Sequence, residues 1–192
     1  MGDEEAFDPR GLLAALDRNY VAYVLIGGLA RVIRGTDEIT NGVDVCPSSR
    51  SDSVERLGKA LEELEGRRAD RRRLSVDEEA LASERITRLR TRFGDLNLVA
   101  EPAGTRRGFD DLRRGATREH IGQGLRPRVA SVADLARMSA ARAHELGEEP
   151  GREAERLRVL EVERSRELRR IMEAEVGLQR TLGISRDIGI DM

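Results

Sequence analysis

The segment from Tyr20 to Val45 constrains the fold of this chain more than any other. Tyr20 to Ile26 is an apolar run of β-branched and aromatic residues, Gly27-Gly28 interrupts it, and Leu29 to Arg34 reads as a short helix ended by Gly35. Val43 to Cys46 is the next strand, stopped by Pro47 and carrying Asp44. A buried strand, a helix and a second strand in such quick succession require a sheet with helices packed against it. The two glycines let the backbone approach a phosphate closely, with helix N-terminal amides pointing at it. The plainer use of such a pair is a tight turn with no ligand. Thr40-Asn-Gly42-Val-Asp44, arriving close behind, favours the phosphate use.

The rest of the chain alternates in the same way. Pro9 to Arg18 places Leu12, Leu13 and Leu16 at helical spacing, with Pro9 near the start. Ser53 to about Gly66 is predicted helical, with Val54, Leu57, Leu61 and Leu64 on one face and Ser53 or a neighbour forming a capping box. Ser75 to Ser83 repeats that pattern briefly. Arg85 to Ala100 alternates on both sides of Phe93-Gly94, as a β-hairpin does. Phe109 to Ile121 is predicted as a helix, Arg126 to Ala130 as a short strand, and Ser131 as the N-cap of a further helix. From Gly151 to about Leu182, a Glu/Arg-rich helical stretch carries Leu157, Leu160, Leu168, Ile171 and Met172 as a sparse apolar stripe. The expected fold class is α+β, a mixed sheet flanked by helices. It fills one domain over residues 1–146, followed by a helical extension over 147–192.

The series Gly27-Gly28, Thr40, Gly42-Val-Asp44-Val45 and Gly94-Asp-Leu-Asn97-Leu-Val99 resembles the nucleotidyltransferase superfamily. Gly108-Phe-Asp-Asp-Leu112 and the stretch Val129 to Leu135 resemble its small bacterial toxin-like members, of the abortive-infection or toxin–antitoxin type. The likeness spans roughly Asp8 to Leu146. It implies a nucleotidyltransferase-like sheet and transfer of a nucleotide from a nucleoside triphosphate to an acceptor hydroxyl, on tRNA in the toxins. It also implies Mg²⁺ as cofactor and an antitoxin protein as partner. In the family pattern a strand presents two acids at i and i+2, on one face, and a neighbouring hairpin adds a third. Together they hold two Mg²⁺ ions, which prefer several carboxylate oxygens.

Here Gly42 stands at the first acidic position, Asp44 at the second and Asn97 at the third. The implied catalytic and metal residues are Asp44 and, two positions before Asn97 on the same face, Asp95; Gly42 and Asn97 are vacated positions. The implied nucleotide-binding residues are Gly27, Gly28 and Thr40. Arg137 or Arg142 would supply the charge that a lysine carries in the relatives' following helix. Two outcomes fit the vacancies, whether natural or introduced. Transfer is disabled, leaving a pseudoenzyme that binds nucleotide, RNA or protein; or Asp95, Asp37 or Glu38 replaces the lost acids.

Composition narrows the partners. A net charge of −2, from 34 basic and 36 acidic residues, argues against a uniformly basic nucleic-acid coat but leaves local patches open. Arg67 to Arg73 is a basic cluster, and Arg85, Arg88, Arg90 and Arg92 form a series along a predicted strand. Either could follow an RNA backbone or be a solvated face, and no aromatic residue interleaves with the first cluster to stack on bases. The lone Cys46 excludes an intrachain disulfide and fits a reducing cytosol, as a core residue without an activating partner. His120 and His144 are isolated, without zinc-site spacing. Met1 to Glu5 is acidic, unlike a signal peptide. The apolar run Tyr20 to Ala30 falls well short of the roughly 20 residues that span a bilayer. A cytoplasmic protein with no membrane partner is expected.

Overall fold

The chain builds its sheet around a strand buried at every position, Tyr23–Ile26. The computed structural model describes residues 7–148 and individual positions between 151 and 170. In chain order the elements begin with α1 (Pro9–Arg18), β1 (Tyr23–Ile26), α2 (Gly27–Ile33), β2 (Gly42–Pro47), α3 (Ser51–Glu63) and β3 (Arg67–Arg68). They continue with α4 (Glu78–Ser83), β4 (Ile86–Thr91), β5 (Gly94–Val99), α5 (Phe109–Gly115), β6 (Thr117–Arg118), β7 (Arg128–Val129) and α6 (Val132–Leu146). The strands form one sheet in the order β3-β4-β5-β2-β1-β7-β6. β2 runs parallel to β5 and β1 to β7, whereas β1–β2, β3–β4, β4–β5 and β6–β7 are antiparallel. The sheet is therefore mixed and carries helices, in agreement with the α+β class.

Leucine supplies most of the core. Leu12, Leu13 and Leu16 of α1 and Leu57 and Leu61 of α3 are buried together with Val43, Val45, Leu89, Leu96 and Leu98 from the central strands. Period-2 alternation then leaves Arg88 and Arg90 of β4, Asp44 of β2 and Asn97 of β5 on the opposite face. That face is the one available for chemistry.

Several boundaries differ from the sequence expectation. β1 starts at Tyr23, and Tyr20 lies in the preceding turn with 77% of its surface exposed. Helix α2 begins at Gly27 itself. Helix α3 begins at Ser51 behind Arg50, which gives no side-chain cap. Ser53 is instead spent on the chain entering β1: its Oγ accepts from the Ala22 amide at 3.2 Å and donates to the Ala22 carbonyl at 3.4 Å. The predicted helix Phe109 to Ile121 stops at Gly115, because Thr117 and Arg118 pair with β7. Arg67–Arg68, within the basic cluster, forms an edge strand against β4. Ser131 does cap α6, accepting from the Asp134 amide at 3.1 Å. Of the expected extension, Leu157 is buried and Leu160 packs on the core; Leu168, Ile171 and Met172 lie outside the described residues. No helix among the described residues is long and apolar enough to cross a membrane.

Candidate functional site

Two rows of residues cross the open face of the sheet. In one, Ile26 is opposite Asp44, Asp44 opposite Asn97, and Asn97 opposite Arg88. In the other, Gly42 is opposite Asp95, and Asp95 opposite Arg90, which pairs in turn with Arg67. Residues paired directly across strands point to the same face, so the expected acidic positions and the β4 arginines share one surface.

Gly27 brings the backbone against this surface. It has φ +71°, and a Cβ there would lie 1.8 Å from Asp44 Oδ2. Any side chain at Gly27 would displace the carboxylate, so glycine is required both by its backbone angle and by the approach. Gly28 sits against Thr40: a Cβ on it would lie 3.0 Å from Thr40 Oγ1, and that hydroxyl donates to the Gly42 carbonyl at 3.0 Å. Thr40 thus packs beside Gly28, bonds to the start of β2, and does not line the cavity in front of Asp44.

That cavity, about 370 Å³, is walled by Gly27, Asp44, Asn97, Arg31, Arg85, Arg88 and Glu101, with Leu135, Met138, Ser139 and Arg142 contributed by α6. Asp44 Oδ1 accepts a hydrogen bond from Asn97 Nδ2 at 2.7 Å. At Gly42 the nearest atoms to an added Cβ would be the Asp95 carbonyl oxygen at 3.4 Å and Asp95 Cβ at 3.5 Å, ordinary contacts, so the position has room for a Cβ it does not carry. Asp95 stands beside that vacated position, but it is exposed and outside the cavity lining.

The other acids considered as replacements are engaged elsewhere. Glu38 accepts from Arg31 Nε and Nη2 at 2.7 Å each and from Thr36 Oγ1 at 2.9 Å. Burial pushes the Glu38 carboxyl up, but these hydrogen bonds outweigh it and hold the group below its ordinary value. Asp37 pairs with Arg156. Of the two α6 arginines, Arg142 lines the cavity, whereas Arg137 turns to Asp134 Oδ1 at 2.7 Å.

Arginine outnumbers carboxylate in the lining of the cavity. Four arginines line it against two carboxylates, Asp44 and Glu101. Arg31 is bound to Glu38 and Arg85 to Glu145 at 3.1 Å. Arg88 and Arg142 form no ion pair with a described residue. Among the described residues no group of three or more His, Cys, Asp and Glu side chains could hold a metal ion. Cys46 is a buried residue of β2, and burial pushes its thiol up to about 12, so it is no nucleophile at neutral pH.

Arg31, Arg85 and Arg88 were not singled out as cavity residues by their sequence context. For Arg88 a signal existed: it alternates with the buried Thr87 and Leu89, which places it on the open face. Arg31 and Arg85 reach the cavity through tertiary packing, which leaves no local trace. The Arg67 to Arg73 cluster forms a separate hollow of about 690 Å³ at the β3–β4 edge. Much of its charge is answered locally, since Arg68 and Arg72 are both bound to Asp70 and Glu84. The chain matches no protein-family model and no curated protein.

Proposed function

We propose that this is a nucleotide-binding protein of nucleotidyltransferase type whose cleft grips the phosphates with arginine and has lost the carboxylates needed for transfer. The observation that carries this reading is the 2.7 Å hydrogen bond from Asn97 to Asp44, across two in-register strands, beside a glycine at position 42. Asn97 donates to this acid and carries no charge of its own, and Gly42 has no side chain, so one carboxylate stands where a pair of Mg²⁺ ions needs several. The donor set does not fit a pair of Mg²⁺ ions, and no step of this reading passes through one. Arg88 and Arg142 present planar forks suited to phosphate oxygens. Gly27 keeps the wall of the cavity at backbone thickness.

Each lost electrostatic group costs transfer roughly 10²- to 10³-fold, so two vacancies leave little turnover. The test is incorporation of labelled nucleotide from each nucleoside triphosphate in Mg²⁺, by the native chain and by Gly42→Asp/Asn97→Asp. Room exists for the Gly42 side chain. The native chain is expected at background and the double variant above it. Robust transfer by the native chain would reject the reading and assign the lost roles to Asp95 or another neighbour.

A further inference from the structure

We propose that a second groove, at the opposite end of β1 from Asp44, binds a nucleoside phosphate, with the base stacked on Tyr20 and the phosphate held by Arg118, Arg126 and Arg128. The groove encloses about 580 Å³ and shares no lining residue with the Asp44 cavity, so the inference does not rest on the reading of that cavity. The chain has only two tyrosines, three phenylalanines and no tryptophan. Both tyrosines and Phe109 line this one groove.

Two local choices that disfavour folding converge there. The first is Tyr20. Helix α1 ends with the Tyr20 amide donating to the Asp17 carbonyl and the Val21 amide to the Leu16 carbonyl, both at 3.0 Å. This closure puts the intervening residue in the left-handed region, where glycine or asparagine is preferred. Tyr20 occupies it with φ 54° while the residue is 77% exposed, so its side chain gives the core little in return. The second is the pairing of Arg118 directly opposite Arg128 across β6 and β7. Like charges in that position repel, and Arg126 and Arg128 form no ion pair with a described residue. The carboxylate lining the groove, that of Asp17, accepts a hydrogen bond from Tyr23 at 3.1 Å and attracts Arg118, which leaves Arg126 and Arg128 as the unanswered charges.

A ligand with a flat π-face and an adjacent anion relieves both costs at once. Locally unfavourable residues that gather at one concave place mark function more often than accident. Bases of any identity stack on aromatic rings, and arginine forks take phosphate oxygens. An acidic peptide would answer the arginines but offer Tyr20 no stacking partner. The nucleoside phosphate has two sources, a free nucleotide or one unit of a single-stranded nucleic acid.

The test is fluorescence anisotropy of a labelled 12-nucleotide RNA of mixed sequence at low salt, with AMP, inorganic phosphate and polyglutamate as competitors. Tyr20→Gly is expected to weaken binding about tenfold or more while raising Tm, because glycine suits the left-handed position. Lost affinity therefore cannot be attributed to misfolding. Tyr20→Phe should bind as the native chain does. Arg118→Glu/Arg128→Glu should weaken binding further and flatten a log–log salt slope expected near roughly −0.7 for the one phosphate that the three arginines share. Competition by AMP at an affinity like that of the RNA identifies a free-nucleotide site, whereas RNA binding that AMP does not displace identifies a strand site; either supports the inference. Unchanged binding by Tyr20→Gly, displacement by phosphate or polyglutamate as effective as by AMP, or no binding of RNA or AMP at low salt would each overturn it.

Discussion

Asn97 and Asp44 decide the character of the cleft by one proton donor. In the native pair an amide N–H meets a carboxylate oxygen at 2.7 Å. Asn97→Asp alone would place two carboxylates within hydrogen-bond distance, and like charges that close force one pKa upward. A carboxyl whose pKa is raised in the folded state loses stability as pH rises through that value. Thermal melts of Asn97→Asp in EDTA should therefore fall below those of the native chain at pH 7 and rejoin them near pH 4, with Mg²⁺ restoring stability at pH 7. Melting identical to the native chain at pH 7 would mean that the side chains do not meet. Glu38 has the opposite sign. Its carboxyl is held below its ordinary value of 4.5, so its contribution is full above that pH and lost as pH falls below it. Glu38→Gln should cost up to about 1 kcal/mol at pH 7 and flatten the acid limb of the stability curve, as pH-dependent urea titrations would record.

At the scale of elements, pattern and pairing part company. β1 was legible as an unbroken apolar run, and β2, the β4–β5 hairpin and α6 because each is long enough to show a period, with Thr87, Leu89 and Thr91 alternating against Arg88 and Arg90, or Ser131 capping a helix. β3 and β6 have two residues each, too few for alternation to register, and each pairs with a strand distant in sequence or across a loop; β7, equally short, lies inside the strand expected over Arg126 to Ala130. The same pairing cut the predicted helix after Phe109 short at Gly115. Ser53 misled for a related reason, since its hydroxyl serves Ala22, far away in sequence, and not its own helix.

Arg34 shows what holds such short strands. Its side chain is 5% exposed. It donates to the Ala130 carbonyl at 2.9 Å, the Val129 carbonyl at 2.8 Å and Thr117 Oγ1 at 2.9 Å, and pairs with Glu119. Arg34→Ala should cost about 3 kcal/mol by stranding buried partners, and Arg34→Lys should recover only part, lacking the fork. Hydrogen exchange of the β6 and β7 amides should quicken in the alanine variant before that of β2. Equal acceleration across the sheet would show that Arg34 does not secure this edge specifically.

For the whole molecule, a net charge of −2 conceals separate basic hollows. The family pattern led to Asp44, Gly27, Asn97 and Arg142, which the fold does bring to one cavity. The arginine-rich lining of that cavity was not legible, because Arg31, Arg85, Arg88 and Arg142 come from α2, the approach to β4, β4 itself and α6, and meet only when the sheet has formed. Calorimetric titration of ATP in EDTA and in Mg²⁺ measures the consequence directly. A cleft that binds by arginine should take ATP in EDTA with an affinity within about threefold of that in Mg²⁺, and Arg88→Ala/Arg142→Ala should weaken both by about tenfold or more. Binding that appears only with Mg²⁺, or that ignores the loss of both arginines, would contradict an arginine-held nucleotide.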